Sequence, residues 1–419
     1  MKRVVISVMV LVLVSTLVFA AGVREAKESE VTNIMFYRLS AANHEQYLLP
    51  IIEEFEKANP DIKVDSVGVP AGGYEAMASK VLMANAAGIP ADIGVVGYSY
   101  LDMMVESGNA VDLTPFMEKD PLFDEDSLFP AMFDLGKYNG HQYLIPVATS
   151  TPIMMVNKDL FEEVGLDPTK LPRTWAEADA AAQRLADHGY MGTLWGWTIT
   201  GNWILQTMIE NAGGMLATPD SSKILFNEEP GVKTMTYLQD LVRKGLMPVT
   251  DQRFETYATG RLGMMIESSF QRLTIPGRTN FETILAPVPT LTGADPVLPA
   301  GGFGVMMFSE DPKKQEASWK FLRFLTEETV GMIIGEQSGG YTPANKNVIA
   351  KLKAKYADDK NFALTLDQAM SVVPWHAWPG ENGNKINQVL YNMTEAVLLQ
   401  KIAPKAALDK AALDVKALL

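Results

Sequence analysis

The sequence predicts an α/β fold divided into two lobes, because strand-like stretches alternate with helix-like stretches twice along the chain. The chain has 419 residues, which is enough for two or three domains. It contains no cysteine, so we expect burial of apolar side chains, and not disulfides, to stabilise the lobes.

The first alternation lies within residues 31–96. Its predicted elements are a strand at 31–37, a loop at 38–43, a helix at 44–58, a strand at 62–69, a helix at 74–87 and a strand at 92–96. Pro50 should kink the first helix or mark its true first turn. Asn59 precedes a proline, which disfavours the α conformation and ends this helix. This order is typical of a largely parallel sheet.

The second alternation follows Ile145. Its predicted elements are strands at 151–156, 264–266 and 305–308, and helices at 159–164, from 175 to about 188, at 231–244, at 312–326 and over 384–419. Thr174 and Glu177 have the spacing of a capping box. Pro404 should divide the last helix into two pieces.

The N-terminus has the pattern of a cleavable signal peptide. A charged start at residues 1–3 precedes an uncharged apolar run at 4–18, and small residues follow, so we expect cleavage after Ala20. The alternative is a membrane anchor, but the run is shorter than the ~20 residues that span a bilayer. Residues 21–30 are polar and are predicted to form a flexible leader. Without cysteine the exported chain cannot be lipidated on Cys, so we expect it free in the periplasm.

The charge of the chain excludes several classes of partner. The formal charge is −14, and no block of Lys or Arg occurs. Nucleic acids and anionic lipid surfaces require basic patches, so we expect neither as a partner.

Motifs for catalysis or metal binding are weak. The four histidines, His44, His141, His188 and His376, match no metal-ligand spacing. There is no G-x-S-x-G motif, and the glycines at 301–304 lack the Lys-Ser/Thr pair of a phosphate-binding loop. We expect no catalytic residue, metal or cofactor.

Two aromatic motifs are candidates for ligand contacts. In WGWTITGNW, Trp195 and Trp197 can either fill the core or face a cleft, whereas Trp203 begins a helix after a loop and favours a cleft role. In PWHAWPG, Trp375 and Trp378 lie in a Pro/Gly loop, where we expect them exposed and available for binding. An indole ring offers rigid apolar area for the C–H face of a sugar.

Seven sequence runs, in one order, resemble a known family. The longest is STPIMMVNKDLFEEVGLDPTKLPRTW at 150–175, and the others are EEFEKANPDIKV at 53–64, IPADI at 89–93, GRLGMMIESS at 260–269, APVP at 286–289, ASWKFLRFLT at 317–326 and GGYTPAN at 339–345. They are similar to runs of the bacterial extracellular solute-binding proteins of family 1, the receptors of ABC importers for sugars and related solutes. The resemblance covers essentially all of the chain after residue 31.

The resemblance implies a two-lobed periplasmic-binding-protein fold, in which each lobe is a mainly parallel sheet flanked by helices and the ligand lies in the cleft between lobes. The implied division assigns 31–149 plus 304–345 to lobe 1 and 150–303 plus 346–419 to lobe 2. The chain would cross between lobes at STP and at PAGGFG (299–304), whose glycines suit a hinge.

The resemblance also implies the ligand contacts. The family members that bind glycerol-3-phosphate match this chain at Tyr74, Ser150, Ser269, Gly302 and Tyr341. Two contacts do not carry over: an acidic position falls near Gly97-Tyr98, and a basic position falls at Asn387. The full set of predicted ligand-binding residues is Tyr74, Tyr98, Thr149, Ser150, Trp203, Glu267, Ser269, Gly302, Tyr341 and Trp375.

These residues predict a receptor, a monomer, that binds a neutral sugar or oligosaccharide and delivers it to ABC permease subunits. Hydroxyl groups of Ser, Thr and Tyr both donate and accept, as sugar recognition requires. A phosphate requires charge-assisted donors, which Asn387 cannot supply, although Arg38 or Arg272 could reach the cleft. The alternatives are a receptor for glycerol-3-phosphate or a glycerophosphodiester, and, from another class, a secreted carbohydrate-active enzyme.

Overall fold

The computed structural model describes residues 31–69 and 73–419. The predicted signal peptide and leader lie outside the described residues. Among the helices that the structure does describe, none is both long and apolar enough to cross a membrane.

The strands alternate with helices as the sequence predicts. In chain order they are β1 Thr32–Leu39, β2 Ile62–Val69, β3 Ile93–Gly97, β4 Lys137–Tyr138, β5 His141–Gln142, β6 Leu144–Ser150, β7 Pro152–Asn157, β8 Met191–Trp195, β9 Leu262–Ser268, β10 Thr283–Ala286 and β11 Gly301–Met307.

The helices cover the faces of the sheets and form the C-terminal part of the chain. They are α1 Ala42–Ala58, α2 Gly73–Ala86, α3 Leu101–Glu106, α4 Thr114–Lys119, α5 Pro130–Phe133, α6 Lys158–Glu163, α7 Trp175–Asp187, α8 Trp203–Asn211, α9 Glu229–Arg243, α10 Arg253–Ala258, α11 Pro312–Phe324, α12 Glu328–Gln337, α13 Lys346–Lys355, α14 Lys360–Ala369, α15 Gly383–Leu398 and α16 Pro404–Lys416.

The first sheet has five strands in the order β2-β1-β3-β11-β6. β1 pairs in parallel with β2 and β3, whereas β11 is antiparallel to both β3 and β6. Helices α1 and α11 pack on it through Phe55 and Phe321, whose ring centroids are 4.9 Å apart. Phe321 also contacts Phe36 of β1, so these rings join sheet and helices in one apolar core.

The second sheet has four strands in the order β10-β7-β9-β8. β8 and β9 are parallel, and β7 is antiparallel to both β9 and β10. Helix α7 lies close to this sheet because glycines face it: a Cβ on Gly263 would lie 2.2 Å from Leu185 Cδ1, and one on Gly192 would lie 2.6 Å from Ala182 Cβ. The two sheets, each with its helices, form the two lobes.

The chain crosses between the sheets at the first predicted position. β6 ends at Ser150 in the five-stranded sheet, and β7 begins at Pro152 in the four-stranded sheet, so only Thr151 lies between them. The return crossing lies between β10 and β11, at residues 287–300.

The glycine run predicted as a hinge is mostly a strand. Gly301 to Gly304 belong to β11, where Gly302 pairs with Thr149. Gly302 has φ +110°, and a Cβ there would lie 2.0 Å from the Ala148 carbonyl oxygen. Glycine is required because the two strands approach too closely for any side chain. The prediction of a hinge missed this steric role.

Several local predictions are confirmed and some boundaries move. Thr174 and Glu177 form the capping box. The C-terminal helix is divided at Pro404. The loop predicted at 38–43 is shorter, because the pairing of β1 with β2 continues to Leu39 and α1 begins at Ala42. Pro50 lies inside the uninterrupted α1 and does not begin it.

Candidate functional site

Tyr98 and Thr149 meet where strands of the first sheet end. Tyr98 follows β3 directly, and its hydroxyl donates to the Ala148 carbonyl at 3.2 Å and lies 3.4 Å from the Thr149 hydroxyl. The backbone of Thr149 exchanges two hydrogen bonds with Thr342, at 3.0 and 2.8 Å. The segment around residue 341 is thereby fixed beside the first crossing.

Tyr74 and Tyr341 join two segments far apart in sequence. Their hydroxyl groups lie 2.8 Å apart. The Tyr341 ring stacks on Phe270 with centroids 4.3 Å apart. Gly97 gives Tyr74 its room, since a Cβ there would lie 2.6 Å from the Tyr74 ring. Burial raises the pKa of both tyrosines well above the ordinary value, so both stay neutral.

Ser150 and Ser269 lie on either side of the crossing residue Thr151. Thr151 donates its backbone N–H to the Ser269 hydroxyl at 3.0 Å, and Ser269 donates its own N–H to the Thr151 carbonyl at 2.9 Å. Ser150 is buried beside Gly301, whose Cβ, if present, would lie 2.7 Å from the Ser150 hydroxyl oxygen.

Trp203 and Trp375 form a pair of indoles, with ring centroids 5.7 Å apart. Trp203 begins α8, as predicted, and donates to the Pro299 carbonyl at 3.0 Å. Trp375 donates to the Gly201 carbonyl at 3.2 Å, and a Cβ on Gly201 would lie 2.6 Å from its ring. Trp203 is only 1% exposed, so its indole is buried in the protein and not open to a cleft in this structure.

The expectation that the PWHAWPG tryptophans are exposed is wrong. Trp375 and Trp378 are 4% and 2% exposed, because the loop packs against α8 and the chain around residue 201. Trp195 and Trp197, whose roles the sequence left open, are also buried. Trp195 packs edge-on against Trp175 at 6.5 Å, and Trp197 contacts Tyr391 at 5.1 Å.

Glu267 is engaged within its own lobe. Its carboxylate is 2.7 Å from the Arg253 Nε and accepts the Ser268 N–H at 3.0 Å, and the residue is 2% exposed. The structure thus brings the predicted ligand-binding residues other than Glu267 into one network of contacts around the first crossing. The Glu267 carboxylate instead forms an ion pair with Arg253. Ligand binding by this set remains a prediction.

A cavity of about 860 Å³ lies between the lobes beside this network. From the first lobe it is lined chiefly by Tyr98, Asp102, Glu106 and Tyr138, and from the second by Gln206, Glu210, Trp375 and His376. Of the predicted residues, only Tyr98 and Trp375 line it.

The cavity is acidic. Burial, and then the charge of Glu106, raises the pKa of Asp102 to about 7. Burial also raises the pKa of Glu210 to about 7. Burial lowers the pKa of His376 to about 4, so its ring is neutral at pH 7.

Gln206 organises the second-lobe wall of the cavity. Its amide donates to Glu210 Oε1 at 2.9 Å and to the Pro374 carbonyl at 3.1 Å. Its oxygen accepts the backbone N–H of His376 at 3.0 Å. Gln206 therefore joins the loop that carries Trp375 to α8 through two hydrogen bonds, in addition to the contact between Trp375 and Trp203.

The cations that could offset this acidity are paired or remote. Lys137, at the cavity wall, pairs with Asp134 at 2.5 Å. Arg38 is held by Glu45 at 2.8 Å and by Ser66 at 2.5 Å. Arg272 lies over the ring of Phe362, with its guanidinium carbon 3.9 Å from the centroid.

The acidic residues and Gln206 were not identified from the sequence, but helical periodicity could have found them. Gln206 and Glu210 lie three and seven residues after Trp203, on the same face of α8. Asp102 lies four residues after Tyr98, within the turns that follow β3. Within residues 31–69 and 73–419, no group of three or more His, Asp or Glu is arranged to hold a metal ion.

Two α/β lobes that enclose a cleft with polar side chains and an indole form a fold for binding a small molecule between lobes. The sequence profile of the bacterial extracellular solute-binding proteins matches residues 41–332, more than half of the chain. The protein therefore belongs to this family and is a solute-binding protein.

Known proteins resemble it over nearly its whole length. The sn-glycerol-3-phosphate-binding periplasmic protein UgpB of Salmonella typhimurium is 27% identical over 409 residues, which is 91% of each chain. An ABC substrate-binding protein of Listeria monocytogenes, solved with cycloalternan, has a TM-score of 0.80 at 23% identity and covers 92% of this chain and 98% of that one. UgpB of Mycobacterium tuberculosis, solved with glycerophosphocholine, has a TM-score of 0.78 at 19% identity, with the same coverage of each chain. At these identities the two structures show a shared fold.

Proposed function

We propose that this protein captures a neutral sugar or oligosaccharide in the cleft between its lobes and delivers it to the permease subunits of an ABC importer. It is exported by its signal peptide and acts in the periplasm as a monomer. Lobe 1 comprises 31–149 plus 304–345, and lobe 2 comprises 150–303 plus 346–419. Apart from the residues at the crossings, the strands of the five-stranded sheet fall in lobe 1 and those of the four-stranded sheet fall in lobe 2, which supports this division.

The observation that carries the proposal is the chemistry of the cavity wall. Asp102 and Glu210 line the cavity with carboxylates that can accept hydrogen bonds, and Trp375, although only 4% exposed, is part of the wall beside them. Sugar hydroxyls donate to acceptors, while the C–H face of a sugar ring packs on an indole. The predicted Tyr and Ser hydroxyls next to the cavity can both donate and accept.

The charges near the cavity disfavour a phosphate. A buried dianion requires charge-assisted donors, of which a bidentate Arg is the usual one. Lys137 is already paired with Asp134, and Arg253 with Glu267. A phosphate would meet the carboxylates of Asp102 and Glu210. The same carboxylates are suitable partners for a neutral polyol.

A second candidate is a receptor for glycerol-3-phosphate or a glycerophosphodiester. It is favoured by the 27% identity with UgpB of Salmonella typhimurium, whose name states its ligand. Against it stands Asn387, which occupies the expected basic position and accepts from the Asn202 amide at 3.3 Å.

A thermal-shift screen separates the two candidates. Sugars, sugar alcohols, glycerol-3-phosphate and glycerophosphocholine are each added to the purified mature protein. A ligand at about 100 times its dissociation constant stabilises the folded state by about 2.7 kcal/mol. We expect a rise in melting temperature with at least one neutral sugar and none with the phosphorylated compounds. Stabilisation by glycerol-3-phosphate and by no sugar would show that the second candidate is correct.

A further inference from the structure

All the sulfur of this chain is in methionine. The sequence has 23 methionines and no cysteine, so no thiol of the chain can intercept an oxidant before it reaches a thioether. Among the described residues most methionines are buried, and three are exposed: Met35, Met83 and Met215. Oxidation follows exposure, so these three are the thioethers that a dissolved oxidant reaches first.

Met215 differs from the other two because it lies in the wall of the cavity between the lobes. Its side chain is 43% exposed, and it lines the cavity beside Leu216 and Val297 of the second lobe. Met83 is 71% exposed but belongs to α2 of the first lobe, outside the cavity wall. Met35 lies on β1 and is likewise outside the wall. Among the described methionines, Met215 alone therefore presents an exposed thioether to the cavity.

The backbone next to Met215 is held in place by hydrogen bonds. Asn211, at the end of α8, exchanges two hydrogen bonds with the backbone of Val297, each 2.8 Å long. Gly214 donates its N–H to the Ile209 carbonyl at 2.9 Å. These bonds fix the loop after α8 against both the helix and the neighbouring segment. The position of Met215 in the cavity wall is thus part of the fold.

We propose that Met215 is a site of reversible oxidation, at which a peroxide converts the thioether to the sulfoxide and so weakens ligand binding. The inference rests on the proposed function, because the effect of oxidation is read in the affinity for the ligand. In the reaction a lone pair of the sulfur attacks one oxygen of hydrogen peroxide, and the O–O bond breaks. The attacked oxygen stays on the sulfur, and its proton passes to the departing hydroxide, which leaves as water. The sulfur loses two electrons and the peroxide gains them.

The charge of the cavity favours an uncharged oxidant. Asp102, Glu106 and Glu210 line the wall, and their field repels anionic oxidants, whereas hydrogen peroxide is neutral and can enter.

The sulfoxide changes what the wall offers to a ligand. It is polar and chiral, so an apolar part of the wall becomes a hydrated acceptor. A ligand that packs its C–H groups on the Met215 side chain loses that contact. Methionine sulfoxide reductases, one for each epimer of the sulfoxide, restore the thioether.

The first experiment maps the oxidised methionines by peptide mass spectrometry after brief treatment of the mature protein with hydrogen peroxide. The buried Met208 of α8 is the control. We expect Met83 and Met215 to oxidise about tenfold faster than Met208. The sugar identified in the thermal-shift screen should slow the oxidation of Met215 and leave that of Met83 unchanged. A Met215 that oxidises as slowly as Met208, or that a bound sugar does not protect, would overturn the proposal.

The second experiment measures the affinity for that sugar by calorimetric titration before and after the same treatment. The variants are Met215→Leu and, as the control, Met83→Leu, since leucine has a similar volume and no sulfur. Peroxide should lower the affinity of the wild type and of Met83→Leu about threefold or more, and the reductases should restore it. Treated Met215→Leu should keep the affinity that it has before treatment.

No loss of affinity in the treated wild type, or equal losses in the two variants, would overturn the assignment of Met215 and leave the proposed function intact. If no sugar binds, the proposed function fails, and the effect of oxidation on binding fails with it. The order of oxidation without ligand still decides in that case whether Met215 is a reactive thioether.

Discussion

Replacing Glu210 by glutamine should stabilise the ligand-free protein at neutral and alkaline pH. The side chain keeps its shape, and the new amide oxygen can still accept from Gln206, as Glu210 Oε1 does at 2.9 Å. What is removed is the negative charge, which burial disfavours and which no cation among the described residues offsets. A residue kept for binding at a cost in stability is expected at a functional site.

The pKa of Glu210 sets the sign and the size of this effect. It rises from its ordinary value of 4.5 to about 7 in the folded protein, so the folded state binds the proton more tightly than the unfolded state. The penalty is absent below pH 4.5, grows as the pH rises and is complete above pH 7. The full shift corresponds to about 3 kcal/mol. Because Glu210 as a whole is only partly buried, the stability cost is smaller than the full shift, and we expect about 1 to 2 kcal/mol.

The assay is urea unfolding of wild type and variant, followed by tryptophan fluorescence, at pH 8 and at pH 4.5. The variant should be more stable at pH 8 and equal to the wild type at pH 4.5. Asp220→Asn is the opposite control, since hydrogen bonds from Thr218 and Ser222 hold the pKa of Asp220 at about 2, and its loss should lower stability. Destabilisation by Glu210→Gln at pH 8, or the same gain at both pH values, would refute the reasoning.

Two further predictions concern the crossing and the indole pair. Gly302→Ala should lower the free energy of unfolding in urea by more than about 3 kcal/mol, because backbone strain at φ +110° adds to the clash with the Ala148 carbonyl. The control Gly213→Ala, at φ +87° with no neighbour within contact distance, should lower it by about 1 to 2 kcal/mol. Equal losses of stability in the two variants would contradict the steric argument. Trp375→Phe should lower the affinity for the sugar identified in the thermal-shift screen by about tenfold. The control Trp319→Phe, which also loses an indole hydrogen bond, should leave this affinity unchanged. Equal affinities of the two variants would show that Trp375 does not contact the ligand.

The local elements could be predicted from the sequence because their signals are short-range. The Thr174–Glu177 capping box depends only on two residues three positions apart. Pro404 divides the C-terminal helix whatever its tertiary contacts are, because proline lacks the backbone N–H that a continuous helix needs. The first crossing was predicted at STP, and β6 and β7 do change sheets there. The seven runs that resemble the family also predicted the fold class. Their order along the chain can be read from the sequence without knowledge of any tertiary contact.

The tertiary structure alone decided which side chains face the cavity. Trp375 and Trp378 lie in a loop with the composition of an exposed segment, yet the bonds of Gln206 and Gly201 bury that loop against α8. Gly302 lies in a glycine-rich run that is typical of a hinge, yet the neighbouring strand β6 packs so closely against it that only glycine fits. These outcomes depend on residues more than 100 positions away, which no local pattern encodes. The same is true of Asp102 and Glu210, which the sequence places 108 residues apart and which line one cavity only because two lobes close around it.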